Sequence, residues 1–236
     1  EKADARVTVK QFLDQAVAQG AVALVVSDPA RVPAGVPALV VADTRRALGQ
    51  MAAAWRRRFA IPVLAVTGSN GKTTTKEMIA AILRAQYGDG VLATRGNLNN
   101  DIGLPLTLLG LDAHHRAAVI ELGMNHPGEI AYLAPLGAPT VAVVTNAQRA
   151  HLQGMGDLDE VAREKGAIFA GLAADGVAVV NADDAFGAYW QTVAQPHAVV
   201  TFGIDQPATV RLTAAVRTTS SSGASSRPIL NSKSWV

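Results

Sequence analysis

The stretch VLAVTGSNGKTTTKEMIAAIL, Val63 to Leu83, breaks an apolar run with glycines, then sets a lysine and three threonines ahead of an amphipathic segment. The apolar run reads as a strand, and Lys72 to about Gln86 reads as a helix with Ile79, Ile82 and Leu83 on one stripe. Gly68, Ser69, Asn70 and Gly71 therefore form a loop that feeds a helix N-terminus. There, unpaired backbone N–H groups and the positive end of the helix dipole favour an anion, and glycines let the chain curl closely around phosphate oxygens. Lys72 adds a point charge for the outer phosphates, and the Thr73 hydroxyl is placed to hold Mg²⁺. The stretch is expected to bind a nucleoside triphosphate. A glycine turn capped by Ser69 or Asn70 is the plainer alternative, but strand, glycines, Gly-Lys-Thr and helix occur here in the order that phosphate binding requires. The spacing departs from G-x-x-x-x-G-K-[ST], because Val66 stands where the first glycine would be.

Outward from this loop, the runs ALVV, ALVVA, VLAVT, VLAT, AAVIEL, TVAVVT, VAVVN and AVVTF alternate with amphipathic stretches. That order predicts an α/β fold with a mostly parallel sheet flanked by helices. Runs that are apolar almost throughout, such as TVAVVT, fit a sheet covered on both faces. Ile61-Pro62 follows the basic run Arg56-Arg57-Arg58 and suggests a division near Phe59 to Pro62. Residues 1–59 then form a small leading α/β unit and residues 60–215 the main domain, while residues 216–236 are expected to be an irregular, Ser-rich tail. The basic run itself reads as a solvated helix end, with a phosphate-binding patch as the other reading.

Composition narrows the classes. The 236 residues are 49% hydrophobic, enough for a sizeable core, and contain no Cys, which excludes a disulfide framework. No apolar run approaches the roughly 20 residues needed to span a bilayer, and EKADARVTVK lacks the order of a secretory signal. A cytoplasmic setting is expected. Lys and Arg exceed Asp and Glu by only 21 to 19, so no strong field for nucleic acid arises. The segment TNAQ lacks the Lys and Asp of a guanine-reading NKxD, which favours ATP over GTP.

In an open parallel sheet, ligands gather at the carboxyl ends of the strands. Glu121 ends AAVIE, where a carboxylate suits Mg²⁺, although an acid at that place could equally be solvated or paired. His151 follows TVAVVT and is a candidate metal ligand, though a lone His is more often structural. Asn97, Asn99 and Asn100 follow VLAT, either to orient a polar substrate or to shape a turn. Lys165, on a helix expected over Leu158 to Leu172, reads by position as a surface charge.

Taken together and in order, TGSNGKTT, GNLNNDIGLPLTLL, ELGMNHPGEI and TNAQRAHLQGMGDLDEVAREKGAIF resemble the Mur ligases over roughly Gly20 to Gly203. The resemblance implies an ATP-dependent, Mg²⁺-requiring amide ligase of peptidoglycan precursor synthesis. Its substrates would be UDP-N-acetylmuramoyl-tripeptide and D-alanyl-D-alanine, joined through an acyl phosphate. It implies that Gly68, Ser69, Asn70, Gly71, Lys72, Thr73 and Thr74 bind ATP, with Lys72 on the transferred phosphate. Thr73 would hold one Mg²⁺, while Glu121 and His151 would hold a second. Lys165 would act as a carbamate that holds or orients metal-bound water; Glu164 precedes it, and Ala167 stands where the family commonly has an acid. Lys72, His151 and Lys165 are thus the implied catalytic residues, and Asn97, Asn99 and Asn100 the implied substrate contacts. Residues 1–59 would be the remnant of a UDP-substrate-binding domain and residues 60–215 an incomplete central domain, with the third domain lacking. A monomer without nucleic-acid partners or a membrane span is expected, ligating poorly by itself. The alternatives are a non-catalytic ATP-binding fragment and another P-loop ATPase.

Overall fold

A computed structural model describes residues 9–148 and 157–211. The leading residues form helix α1 (Val9–Ala18) and a two-stranded parallel sheet, β1 (Leu24–Val26) and β2 (Ala38–Val40). Helix α2 (Thr44–Arg56) follows, its first turn capped by the Asp43 carboxylate, which accepts from the N–H groups of Arg45 and Arg46. The main body then alternates: β3 (Val63–Thr67), α3 (Lys72–Tyr87), β4 (Val91–Ala93), α4 (Gly103–Leu109), β5 (Ala117–Glu121), α5 (Glu129–Gly137) and β6 (Val141–Val144). Helix α6 (Leu158–Gly166), β7 (Val177–Asn181), α7 (Gly187–Val193), β8 (Ala198–Gly203) and the short β9 (Val210–Arg211) complete it.

All eight expected runs form strands, and seven strands, β9 included, make one wholly parallel sheet in the order β4-β5-β3-β6-β7-β8-β9. Alternate residues serve opposite faces. Val63, Ala65, Ala118, Ile120, Ala142 and Val144 face the larger core with α2, α4 and α5, while Leu64, Val119 and Ala93 face α3. Connections run to one side of β3 through β4 and β5 and then cross to β6 on the other, so β3 stands at the switch point where such sheets open a crevice. Among the described residues, no helix is long and apolar enough to cross a membrane.

Packing differs from the sequence expectation in four places. Helix α2 falls within residues 1–59, the expected leading unit, yet Ala52 and Ala53 lie in the large core, Trp55 and Phe59 pack on it, and Trp55 Nε1 donates to Leu111 O at 2.9 Å. Ile82 is 69% exposed; the buried positions of α3 are Lys76 and Ala80, with Ile79 and Leu83 half-buried beside them. The helix from Leu158 stops at Gly166 and tightens into a 3₁₀ turn, Ala167–Gly171. Arg56 is no solvated helix end. Only 6% exposed, it donates to the carbonyls of Gly137, Phe59, Ile61 and Ala138 and so ties α2 to the end of α5. Arg57 and Arg58 remain exposed. Arg56→Ala is expected to cost about 2 kcal/mol, since it orphans carbonyls shielded from water; denaturant unfolding measures it.

Candidate functional site

At the carboxyl end of β3 the chain enters the glycine loop. Gly68 has φ +152, and a Cβ there would stand 1.8 Å from Thr145 Oγ1, so only glycine lets the loop press against the end of β6. Gly71, with φ +77, is the N-cap of α3 and makes no side-chain cap, which leaves the first-turn N–H groups directed outward. Ser69 and Asn70 do not cap the helix. Ser69 Oγ donates to Gln148 O at 3.1 Å and accepts from Gln148 N at 2.9 Å. Asn70 Nδ2 donates to Gln148 Oε1 at 2.6 Å, and Asn70 N to Asn146 Oδ1 at 3.0 Å. The loop is thus stitched to the segment after β6. That segment is held from behind by Asp184, whose carboxylate accepts from Ala147 N at 2.9 Å.

Lys72 curls back over the loop, its Nζ donating to Gly68 O at 2.8 Å and Ser69 O at 3.3 Å. Burial lowers its pKa, and the Glu121 charge partly restores it. Thr73 Oγ1 donates to Glu121 Oε2 at 2.9 Å, and Asn99 Nδ2 donates to Glu121 Oε1 at 2.8 Å. Two sequence-predicted groups, Thr73 at the start of α3 and Asn99 in the loop after β4, therefore meet on the carboxylate of a third, Glu121 at the end of β5. Glu121 is itself 2% exposed, and its backbone N–H donates to Thr94 Oγ1 at 3.0 Å. Its burial with polar partners sets aside the solvated reading.

The other asparagines divide. Asn100 Oδ1 accepts from Ile102 N and Gly103 N at 3.2 and 2.8 Å and caps α4, so its side chain serves the turn. Asn97 is exposed beside it. Between this loop and the start of α5 lies a cavity of about 400 Å³ lined by Arg45, Arg46, Asn100, Asp101, Gly123 and Glu129, among others. Arg45 bridges it to Asp101 at 3.1 Å, while Arg46 lies 4.2 Å from the centre of the Tyr132 ring.

Lys165, read from sequence as a surface charge, is 2% exposed. Burial first, and the neighbouring Lys72 charge second, lower its pKa to about 7, with Glu164 acting the other way. A fraction of the amine is therefore neutral at physiological pH and nucleophilic. Sequence reasoning left the task of Glu164 open. Its carboxylate accepts from Gly128 N at 2.8 Å and Ile130 N at 2.6 Å, closing the N-terminus of α5 onto α6. Glu164→Ala should cost about 1–2 kcal/mol in chemical unfolding. His151 lies outside the described residues, as do residues 1–8 and the Ser-rich residues 216–236.

The Thr73 hydroxyl and the Glu121 carboxylate form a hard oxygen set of the kind Mg²⁺ takes while keeping several waters. Thr73, Glu121 and Asn99, the loop N–H groups and Lys72 converge on the space above the carboxyl ends of β3 and β5.

The chain is similar to known proteins over most of its length. Residues 66–233 match the Mur ligase middle domain. The chain is 49% identical over 204 residues to the UDP-N-acetylmuramoyl-tripeptide--D-alanyl-D-alanine ligase of Haemophilus influenzae, a match that covers 86% of this chain and 44% of that protein. Its fold superposes on crystal structure I of MurF from Acinetobacter baumannii with a TM-score of 0.77 at 44% identity, covering 82% of this chain and 42% of that one. It also superposes on the MurF ligase of Thermotoga maritima in complex with ADP, with a TM-score of 0.72 at 29% identity, covering 83% and 44%. The chain spans less than half the length of these relatives. With its middle-domain match extending over most of its residues, this chain belongs to the Mur ligase family.

Proposed function

We propose that this chain carries the ATP-binding and acyl-phosphate-forming part of a ligase that joins D-alanyl-D-alanine to UDP-N-acetylmuramoyl-tripeptide in the cytoplasm. The observation that carries the reading is the meeting of Lys72, Thr73, Asn99 and Glu121 over the free N-terminus of α3, with the low-pKa Lys165 within electrostatic reach of Lys72. The names of its relatives and the ADP bound by one of them support the same assignment.

In this reading the N–H groups of the glycine loop and the dipole of α3 hold the ATP phosphates, and Lys72 leaves its loop carbonyls to face the transferred group. The terminal carboxylate of the tripeptide attacks the γ-phosphorus, the bond to the β-phosphate oxygen breaks, and ADP leaves. The amine of D-alanyl-D-alanine then attacks the acyl carbon, loses a proton, and phosphate departs as the amide forms. Thr73 and Glu121 would hold Mg²⁺, which neutralises phosphate charge when bound. Two anions must meet in the first step, and Lys72 offsets that repulsion most where charge develops. Asn99 keeps the Glu121 carboxylate aimed by occupying its other oxygen.

The neutral amine of Lys165 would capture carbon dioxide, forming an N–C bond and releasing a proton, so that a cation becomes a carboxylate-like group facing Lys72. Mass spectrometry of the protein trapped in carbon-13-labelled bicarbonate reads this directly. Calorimetry with a nucleotide panel tests the central assignment. ATP with Mg²⁺ is expected to bind and GTP to bind more weakly; a preference for GTP overturns the reading.

A further inference from the structure

The turn between α4 and β5 lies at the amino end of the sheet, a strand's length, about 15 Å, from the Glu121 carboxylate. It carries Asp112, His114 and His115, none of which the ligase reading uses. Their side chains converge. Asp112 Oδ1 lies 3.0 Å from His115 Nδ1 and is also in contact with His114 Nδ1. The His114 backbone N–H donates to the same oxygen at 3.0 Å, fixing the turn that brings the groups together, and the two rings lie 4.1 Å apart. One donor atom from each of the three residues falls within 4.8 Å of the other two.

We propose that Asp112, His114 and His115 form a surface site for a divalent transition-metal ion of the zinc type. The donor set decides the class of ion: two imidazoles and one carboxylate suit Zn²⁺, Co²⁺, Ni²⁺ or Cu²⁺, whereas Mg²⁺ takes oxygen donors. Reach decides feasibility. Ligand bonds of about 2 Å around a common centre put donors about 3–4 Å apart, so small side-chain rotations suffice. The side chain of His115 is 8% exposed and held in place by packing, while Asp112 and His114, at 57% and 53%, leave the open side to the ion and its waters. Binding exchanges two existing contacts for metal bonds: the Asp112 N–H donated to His115 Nδ1 at 3.1 Å, and the contact between His114 Nδ1 and Asp112 Oδ1. The ion would clip the turn that leads into β5, and so stabilise the strand that presents Glu121 without touching the chemistry.

The test is titration of the chain with ZnCl₂ by calorimetry and with CoCl₂ by visible absorption, both under excess Mg²⁺ to fill oxygen-donor sites. One ion per chain, a ligand-field band, and a loss of affinity of about tenfold or more in His114→Ala are expected. His126→Ala, which alters an imidazole paired with Glu129 on another loop, should leave the binding unchanged. His114 is largely exposed, so the variant should keep the wild-type circular dichroism. The proposal is overturned if no saturation occurs below about 1 mM, if His114→Ala binds as tightly as wild type, or if His126→Ala abolishes the band.

Discussion

Replacing Lys72 by alanine is expected to weaken binding of ATP with Mg²⁺ about 10- to 150-fold, the range that charge-assisted hydrogen bonds of about 1.5–3 kcal/mol convert to. The fold should survive. Among the described residues, Lys72 Nζ bonds only to the carbonyls of Gly68 and Ser69, and the loop keeps its shape through other contacts: Gly68 against Thr145, and Ser69 and Asn70 against Gln148 and Asn146. AMP supplies the internal control, because it lacks the outer phosphates that a point charge at Lys72 would meet. Calorimetry on both ligands should find a large loss for ATP and little change for AMP. Equal losses would mean a damaged loop, and an unchanged ATP affinity would remove Lys72 from phosphate recognition. The comparison isolates the electrostatic contribution, since the variant keeps the N–H groups at the start of α3.

How far the sequence carried this site depends on whether each role is local. The glycine loop is legible because its chemistry occupies consecutive positions: Gly68 and Gly71 need backbone freedom, and Lys72 and Thr73 follow at the helix start. The strands are legible because burial on both faces forces unbroken apolar runs. Lys165 is different. Nothing on its own segment distinguishes it from a solvated lysine, although it is 2% exposed, so only the family resemblance singled it out. Glu164 was harder still, since the N–H groups it satisfies lie 34 and 36 residues earlier in the chain. Arg56 misled for a related reason: in a run of three arginines nothing marks the one whose rotation along α2 turns it toward the carbonyls ending α5. Ile82 was assigned to the buried stripe by its apolarity, but a single helix covering one sheet edge buries a narrow face, and Lys76 occupies it by sending Nζ to Thr94 O at 2.7 Å. Asn99 and Asn100 are adjacent and chemically identical; their division between Glu121 and the α4 cap follows from the direction of the turn alone.

Lys165→Met is expected to stabilise the chain at neutral pH by on the order of 4 kcal/mol, an increase obtained by removing the residue proposed to carry the carbamate. The sign follows from linkage. The pKa of Lys165 is lowered from 10.5 to about 7 on folding, so between those values the unfolded chain binds more protons and stability rises with pH. Below about pH 7 the full cost of confining the charge is present; between about pH 7 and about pH 9 about 2 kcal/mol of it should be recovered. Methionine fills nearly the same volume without the charge, so the variant should lose this part of the slope while keeping the smaller contribution in the same direction from Lys72, whose pKa burial also lowers. Denaturant unfolding at several pH values in degassed buffer measures both curves. Bicarbonate gives the complementary arm: carbamate formation replaces the buried cation with an anion facing Lys72, so it should stabilise wild type and leave Lys165→Met unmoved. Parallel pH curves for the two proteins would show that Lys165 remains ionised inside the fold, and the neutral amine that carbon dioxide requires would then be too scarce for the proposed role.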